Sequence, residues 1–193
     1  MKFIFLVLIS MTFVSCTTTP VNESGLVVIS QTEYERRIEP ASKKVETYKG
    51  ILNTLHLSAT LINSQVIDSQ ILHKARIYQW NAEQVEAERA KMLEVANSQT
   101  QMFLSLYTPE RKHDDLHKNK TLWKIFLDSQ GRRYEGKAVK IKLLTNEIQA
   151  MYPEHTRFAT PYLVTFPVST KSIDGQPVKL TLTGTVSSVS LDF

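Results

Sequence analysis

Leu122-Trp-Lys-Ile-Phe-Leu-Asp-Ser-Gln-Gly-Arg-Arg-Tyr-Glu-Gly-Lys-Ala-Val-Lys-Ile-Lys-Leu-Leu144 decides the fold. Trp123, Ile125 and Leu127 recur at every second position, the period of a half-buried strand. Asp128-Ser129-Gln130-Gly131 is a turn signal. A second run, Tyr134 to Leu144, again carries apolar residues at odd positions: Val139, Ile141 and Leu143. For both odd sets to face one core, paired residue numbers must sum to an even number. That predicts a hairpin loop with an odd number of residues, with Gly131 in its left-handed position.

The same period extends outward from this hairpin. Ile51, Leu55, Leu57, Ala59 and Leu61 are apolar at odd positions, broken once by Asn53, and Thr54, His56, Ser58 and Thr60 fill the even ones. Met102 to Tyr107, Tyr162 to Val168, Val178 to Thr183 and Val189 to Phe193 also read as strands. Between them the period changes. Ile67, Ile71, Tyr78, Val85, Met92 and Ala96 recur at helical spacing, with Ala75 and Ala82 filling in. These residues predict one amphipathic helix over about 64–99, with a possible break near Trp80-Asn81 and a cap at Asn63 or Ser64. Glu86–Arg89 and Glu88–Lys91 are supporting i,i+3 pairs. Thr32 to Arg37 has helical character up to Pro40, Leu26 to Ile29 reads as a short strand, and Asn146 to Met151 as a helical turn. About seven or eight short strands with Gly, Pro and Asp turns predict an α+β, mainly β chain. The expected architecture is an antiparallel β-sandwich, immunoglobulin-like or similar, with one long inserted helix.

The N-terminus bears on location. Lys2 precedes an apolar run from Phe3 to Val14, and Ser15 precedes Cys16, the only cysteine. A short basic segment, an apolar stretch and a small residue form an export signal. The run is shorter than the ~20 residues a spanning helix needs. Phe13-Val14-Ser15-Cys16 resembles a bacterial lipobox. The resemblance implies a signal peptide over 1–15 and lipid on the sulfur and amino group of Cys16. Thr17 follows the cysteine where inner-membrane lipoproteins often carry aspartate, which implies the outer membrane as the anchored partner. Residues 16–25 read as a polar tether, and 26–193 as one domain. Removal of Lys2 lowers the formal charge from +4 to +3, which does not imply nucleic acid. With a single cysteine, no disulfide forms within the chain.

Chemical motifs are few. Phosphate-binding glycine loops and the Gly-x-Ser-x-Gly elbow do not occur, and neither a cofactor nor a metal is implied. His113-Asp114-Asp115-Leu116-His117 has metal-like histidine spacing on a helical turn. The preferred reading is a solvated loop in which Asp114 or Asp115 caps a short helix. Between Glu110 and Lys142 stand ten Lys/Arg against five Asp/Glu. Lys124, Arg132, Arg133, Lys140 and Lys142 would form an outward patch. Such a patch either touches anionic envelope material or guards sheet edges against pairing. Residues 152–161, with His155, Arg157 and Phe158, form a loop suited to a partner contact.

Trp123-Lys-Ile-Phe-Leu-Asp and Arg133-Tyr-Glu-Gly136 resemble the domain of uncharacterised bacterial lipoproteins, a likeness that carries no activity. The expected function is a non-enzymatic interaction or accessory module of the cell envelope, held at the outer membrane and engaging an envelope protein. The alternative is an envelope ligand binder for a lipid, glycan or metal, with a cleft between helix and sheet. A large apolar cavity there would favour the ligand binder; a flat apolar patch with a polar rim would favour the module.

Overall fold

The computed structural model describes residues 20–193; Cys16 and the signal segment lie outside them. In chain order the elements are α1 (Gln31–Ile38), β1 (Ser42–Lys49), β2 (Leu52–Leu61), α2 (Ser64–Ile77), α3 (Ala82–Ser98) and β3 (Thr100–Tyr107). Then come β4 (Trp123–Ser129), β5 (Arg132–Glu135), β6 (Lys137–Lys140), α4 (Thr145–Met151), β7 (Thr160–Phe166), α5 (Thr170–Ile173), β8 (Val178–Gly184) and β9 (Ser188–Asp192). The chain is α+β, mostly strand, with two antiparallel sheets ordered β1-β2-β3-β7-β6 and β5-β4-β8-β9. Among the described residues no helix is long and apolar enough to cross a membrane.

The two sheets bury their apolar faces in one core. Leu55, Leu57, Leu104, Tyr162, Val164 and Phe166 of the larger sheet meet Trp123, Ile125, Leu127, Leu180 and Leu182 of the smaller. These are the alternating sets that the sequence assigns to a core. Trp123 is fully buried, and its indole N–H donates to His113 O at 2.6 Å, so its one polar atom is satisfied.

The decisive hairpin differs from its expected register. Its loop holds two residues, Gln130 (φ 51) and Gly131 (φ 71), between Ser129 and its partner Arg132. Two successive positive φ values make a primed turn, whose twist matches that of the flanking strands. Leu127 therefore faces Tyr134, a pair with an odd sum. Tyr134 and Ala138, not Val139 and Leu143, turn toward the core, and the latter two are largely exposed. The second run also divides. At Gly136 the chain leaves the smaller sheet and enters the larger one as β6. A β-carbon there would stand 2.6 Å from Phe166 Cε1 and 2.7 Å from Val164 Cγ1, so only glycine lets the corner pass the core.

The single long helix is two helices. α2 stops at Tyr78, Gln79 takes φ 52, and Asn81 starts α3. Asn81 Oδ1 accepts from Gln84 N, and Gln84 Oε1 accepts from Asn81 N, each at 2.9 Å. This reciprocal cap outweighs helix continuation at the expected weak point. The two helices are joined by ion pairs of Lys74 with Glu88 (2.8 Å) and Arg89 with Asp68. With α1 they bury a second core of Tyr34, Ile38, Ile62, Val66, Ile67, Ile71, Ala75, Val85 and Ala96, against which Leu163 of β7 packs. The helices thus cover the other face of the larger sheet.

Residues 20–25, expected as tether, are docked. Val21 and Val27 form an isolated bridge, and Val28 N donates to Pro20 O at 3.0 Å. Leu26 to Ile29 contributes this bridge rather than a strand.

Candidate interaction cleft between the helices and the larger sheet

The stretch from α4 to His155 crosses the helix-covered face of the larger sheet and is fixed there by aromatic and polar contacts. Glu147 accepts from Leu144 N at 2.8 Å and starts α4. At its end, Tyr34 Oη donates to Met151 O (2.6 Å), and His73 Nε2 lies 3.0 Å from Ala150 O. These contacts supply partners for the last carbonyls of the helix, which have none within it. Gln70 Nε2 donates to Tyr152 Oη at 3.0 Å. The Tyr152 ring stacks on Phe103 of β3, centroids 3.7 Å apart. Burial pushes the Tyr152 hydroxyl up to about 12, against the opposing pull of Gln70, so the phenol is neutral.

Tyr152 forms a wall between two openings. On one side lies a cleft of about 390 Å³ walled by α2, α3 and the sheet. Ile67, Met92, Val95, Ala96, Ile141, Leu143, Met151 and Leu163 make it apolar, while Gln70, Lys74, Glu88 and Lys91 supply polar groups. The hydrogen bond from Lys74 holds the Glu88 carboxyl below its usual range, so that carboxylate is charged at neutral pH. On the other side, α1, β1 and Tyr152-Pro153-Glu154 enclose about 540 Å³. That opening carries Glu35, Arg36, Glu39, Lys43, Lys44 and Glu154, with Ile38 and Phe103 as its apolar part. The first cleft suits an apolar or amphipathic guest and the second a more polar one.

His155, which sequence alone does not place, sits beside this site. Ser105 Oγ and His155 Nδ1 are 2.8 Å apart, and both residues are buried. Burial pulls the His155 pKa down, favouring neutral imidazole. Gln149 Nε2 donates to His155 O at 2.8 Å, which fastens the loop to α4.

The histidine-aspartate segment does not form the expected helix cap. Asp115 accepts from Thr121 Oγ1 at 2.8 Å and from Leu122 N at 3.2 Å, closing the loop before β4. Asp114 accepts from Tyr162 Oη (2.6 Å) and from Thr160 Oγ1, tying the loop to β7. Asp114 thus holds a distant strand and Asp115 its own loop, and neither starts a helix. Among the described residues no group of three or more His, Cys, Asp or Glu is placed to hold a metal.

The five basic residues of the expected patch are divided. Lys124 of β4 pairs with Glu135 at 2.5 Å. Arg133 pairs with Asp128 through two contacts of 2.7 and 2.9 Å and lies over the Phe126 ring. Arg132 stands beside the hairpin turn, whereas Lys140 and Lys142 belong to the other sheet's edge and the segment after it. Arg132, Lys140 and Lys142 carry no ion pair among the described residues. Sequence reasoning missed Tyr34, Gln70, His73 and Asn22. Gln70 and His73, three residues apart on the apolar face of a helix, were the available signal for a polar seam.

Compared with protein-family models, curated proteins and solved structures, the chain matches none.

Proposed function

We propose that this chain is an outer-membrane lipoprotein, anchored through lipid on Cys16, whose domain is a non-enzymatic interaction module of the cell envelope. The signal-like N-terminus supports the anchor. Exposed apolar surface at the mouth of the cleft between the two helices and the larger sheet carries the interaction reading. Leu143 lines it and is well exposed, and Leu144 beside it is also exposed. Apolar surface at a cleft mouth is the usual mark of a contact site. Within this proposal the two sheets are a β-sandwich, supported by their shared core. The passage of one strand run from sheet to sheet at Gly136 favours a general sandwich over an immunoglobulin-like one.

Site-specific photocrosslinking of the lipidated protein in its own envelope tests the module. A crosslinker at Leu143 or Met92 should join a discrete envelope protein, and one at Gln130, in the hairpin turn, should not. Equal crosslinking from all three positions, or none from any, would overturn it.

The same cleft supports a second reading, an envelope ligand binder. Its volume of about 390 Å³ and apolar lining suit part of a lipid or another amphiphile. Native mass spectrometry of the soluble domain taken from its envelope separates the two. A co-purified amphiphile lost on Met92→Asp would favour the ligand binder; a bare chain would favour the module.

A further inference from the structure

We infer that the surface where the chain enters its domain is a seat for the bilayer, so that the domain rests on the membrane rather than swinging from a long tether. The inference depends on the lipid anchor proposed above.

Asn22 fixes the entry point. Its side chain donates to Trp80 O (2.7 Å) and Ala75 O (3.3 Å) and accepts from Ser24 N and Leu26 N (both 3.0 Å). Glu23 N donates to Gln79 Oε1 at 2.9 Å. The chain therefore leaves toward Cys16 from the α2–α3 turn. Whatever their conformation, the four Cα-to-Cα steps from Cys16 to Pro20 reach at most ~14 Å. Acyl chains on Cys16 bring this turn to the headgroup layer.

The side chains there suit that layer. Val21, Val27 and Tyr78 are each more than half exposed, and Ile77 is 40% exposed. Tyr78 stacks on half-buried Trp80, with centroids 5.8 Å apart. Tyrosine and tryptophan concentrate at membrane–water interfaces, where one end is apolar and the other wet. Charge is sparse: Glu23 is the sole charged residue from Pro20 to Ser30, and Arg76 the sole one from Ala75 to Asn81. In water, this apolar group at the anchor point would lie uncovered; against lipid it is buried without any change of fold.

The chain has two tryptophans, and Trp123 is sealed in the core, so Trp80 is a built-in probe. The lipidated full chain is reconstituted in phosphatidylcholine vesicles brominated on the acyl chains. Tryptophan emission should fall relative to unbrominated vesicles, and the Trp80→Phe variant should lose that response. The double variant Val27→Asp/Tyr78→Asp, altered only at exposed positions, should still float with vesicles but escape quenching. A lipidated protein that floats with unquenched Trp80 would overturn the seat and leave the anchor intact, as would a double variant quenched like the native chain. A native protein whose mass carries no lipid would overturn both.

Discussion

The Tyr34 ring lies flat against the His73 ring, centroids 4.1 Å apart and planes within 3°. Both residues are fully buried, and each also bonds a carbonyl at the end of α4. One aromatic pair thus joins α1, α2 and the segment that forms the wall of the cleft. Burial favours neutral imidazole here, although Nε2 can donate to Ala150 O in either protonation state.

Stability should therefore fall with acid in the histidine range. Burial depresses the pKa of His73, with Arg76 adding to that effect and the Ala150 contact and Glu35 opposing it; burial also depresses His155. A histidine whose folded pKa lies below its unfolded value gives stability that is complete above the unfolded value, ~6.5. As pH falls from there toward the folded value, the unfolded state binds more protons and that stability is lost. Urea midpoints should drop between about pH 7.5 and about pH 5.5, a window around the ordinary histidine pKa. Replacing His155 with Gln should reduce the slope. An unchanged midpoint across that window would contradict the role given to the buried rings.

Gly136→Ala tests the strand corner. The added methyl would stand 2.6 Å from Phe166 and 2.7 Å from Val164, within the shared core. Neither side chain has space to retreat, since both are fully buried. Overpacking of this kind costs about 1–3 kcal/mol. Thermal or urea unfolding should show that loss.

Much of this fold is legible from side-chain alternation, because alternation reports which face is wet. The core faces of β2, β4, β7 and β8 follow directly from Leu57, Ile125, Val164 and Leu180. What alternation cannot convey is the turn between strands. Gln130 takes a left-handed conformation that its side chain does not advertise, and that one residue shifts the parity of the second half of the hairpin run. Val139 and Leu143 consequently leave the core, and β6 changes sheet. The cleft was less legible still. Tyr34, Gln70, His73, Phe103 and Tyr152 come from separate parts of the chain, and only tertiary packing joins them. Asn22 read as tether for the same reason: its partners are backbone carbonyls more than fifty residues away.

Gln130→Asn should stabilise the protein. The turn needs positive φ at both central positions, and asparagine accepts that conformation more readily than glutamine. Gln130 also donates to Ser172 O at 2.9 Å, an exposed contact of small value that asparagine would give up. A net gain of about 0.5 kcal/mol is expected, the scale of an optimised turn. Equilibrium unfolding at neutral pH checks it. A loss instead of a gain would mean that the Ser172 contact outweighs backbone preference.

Cys16→Ala separates location from folding. Among the described residues the two cores run from Val28 to Leu191. The variant should keep the unfolding midpoint of the native chain while losing its place in the outer-membrane fraction. Under the proposed anchor, three acyl chains would account for that dependence, since each buried methylene contributes about 0.8 kcal/mol and a single chain binds only reversibly. The apolar residues around Val27 and Tyr78 are too few to replace that anchorage. Fractionation followed by mass measurement reads both outcomes at once. A processed Cys16→Ala protein still in the outer-membrane fraction would show that protein contacts, rather than lipid, hold it there.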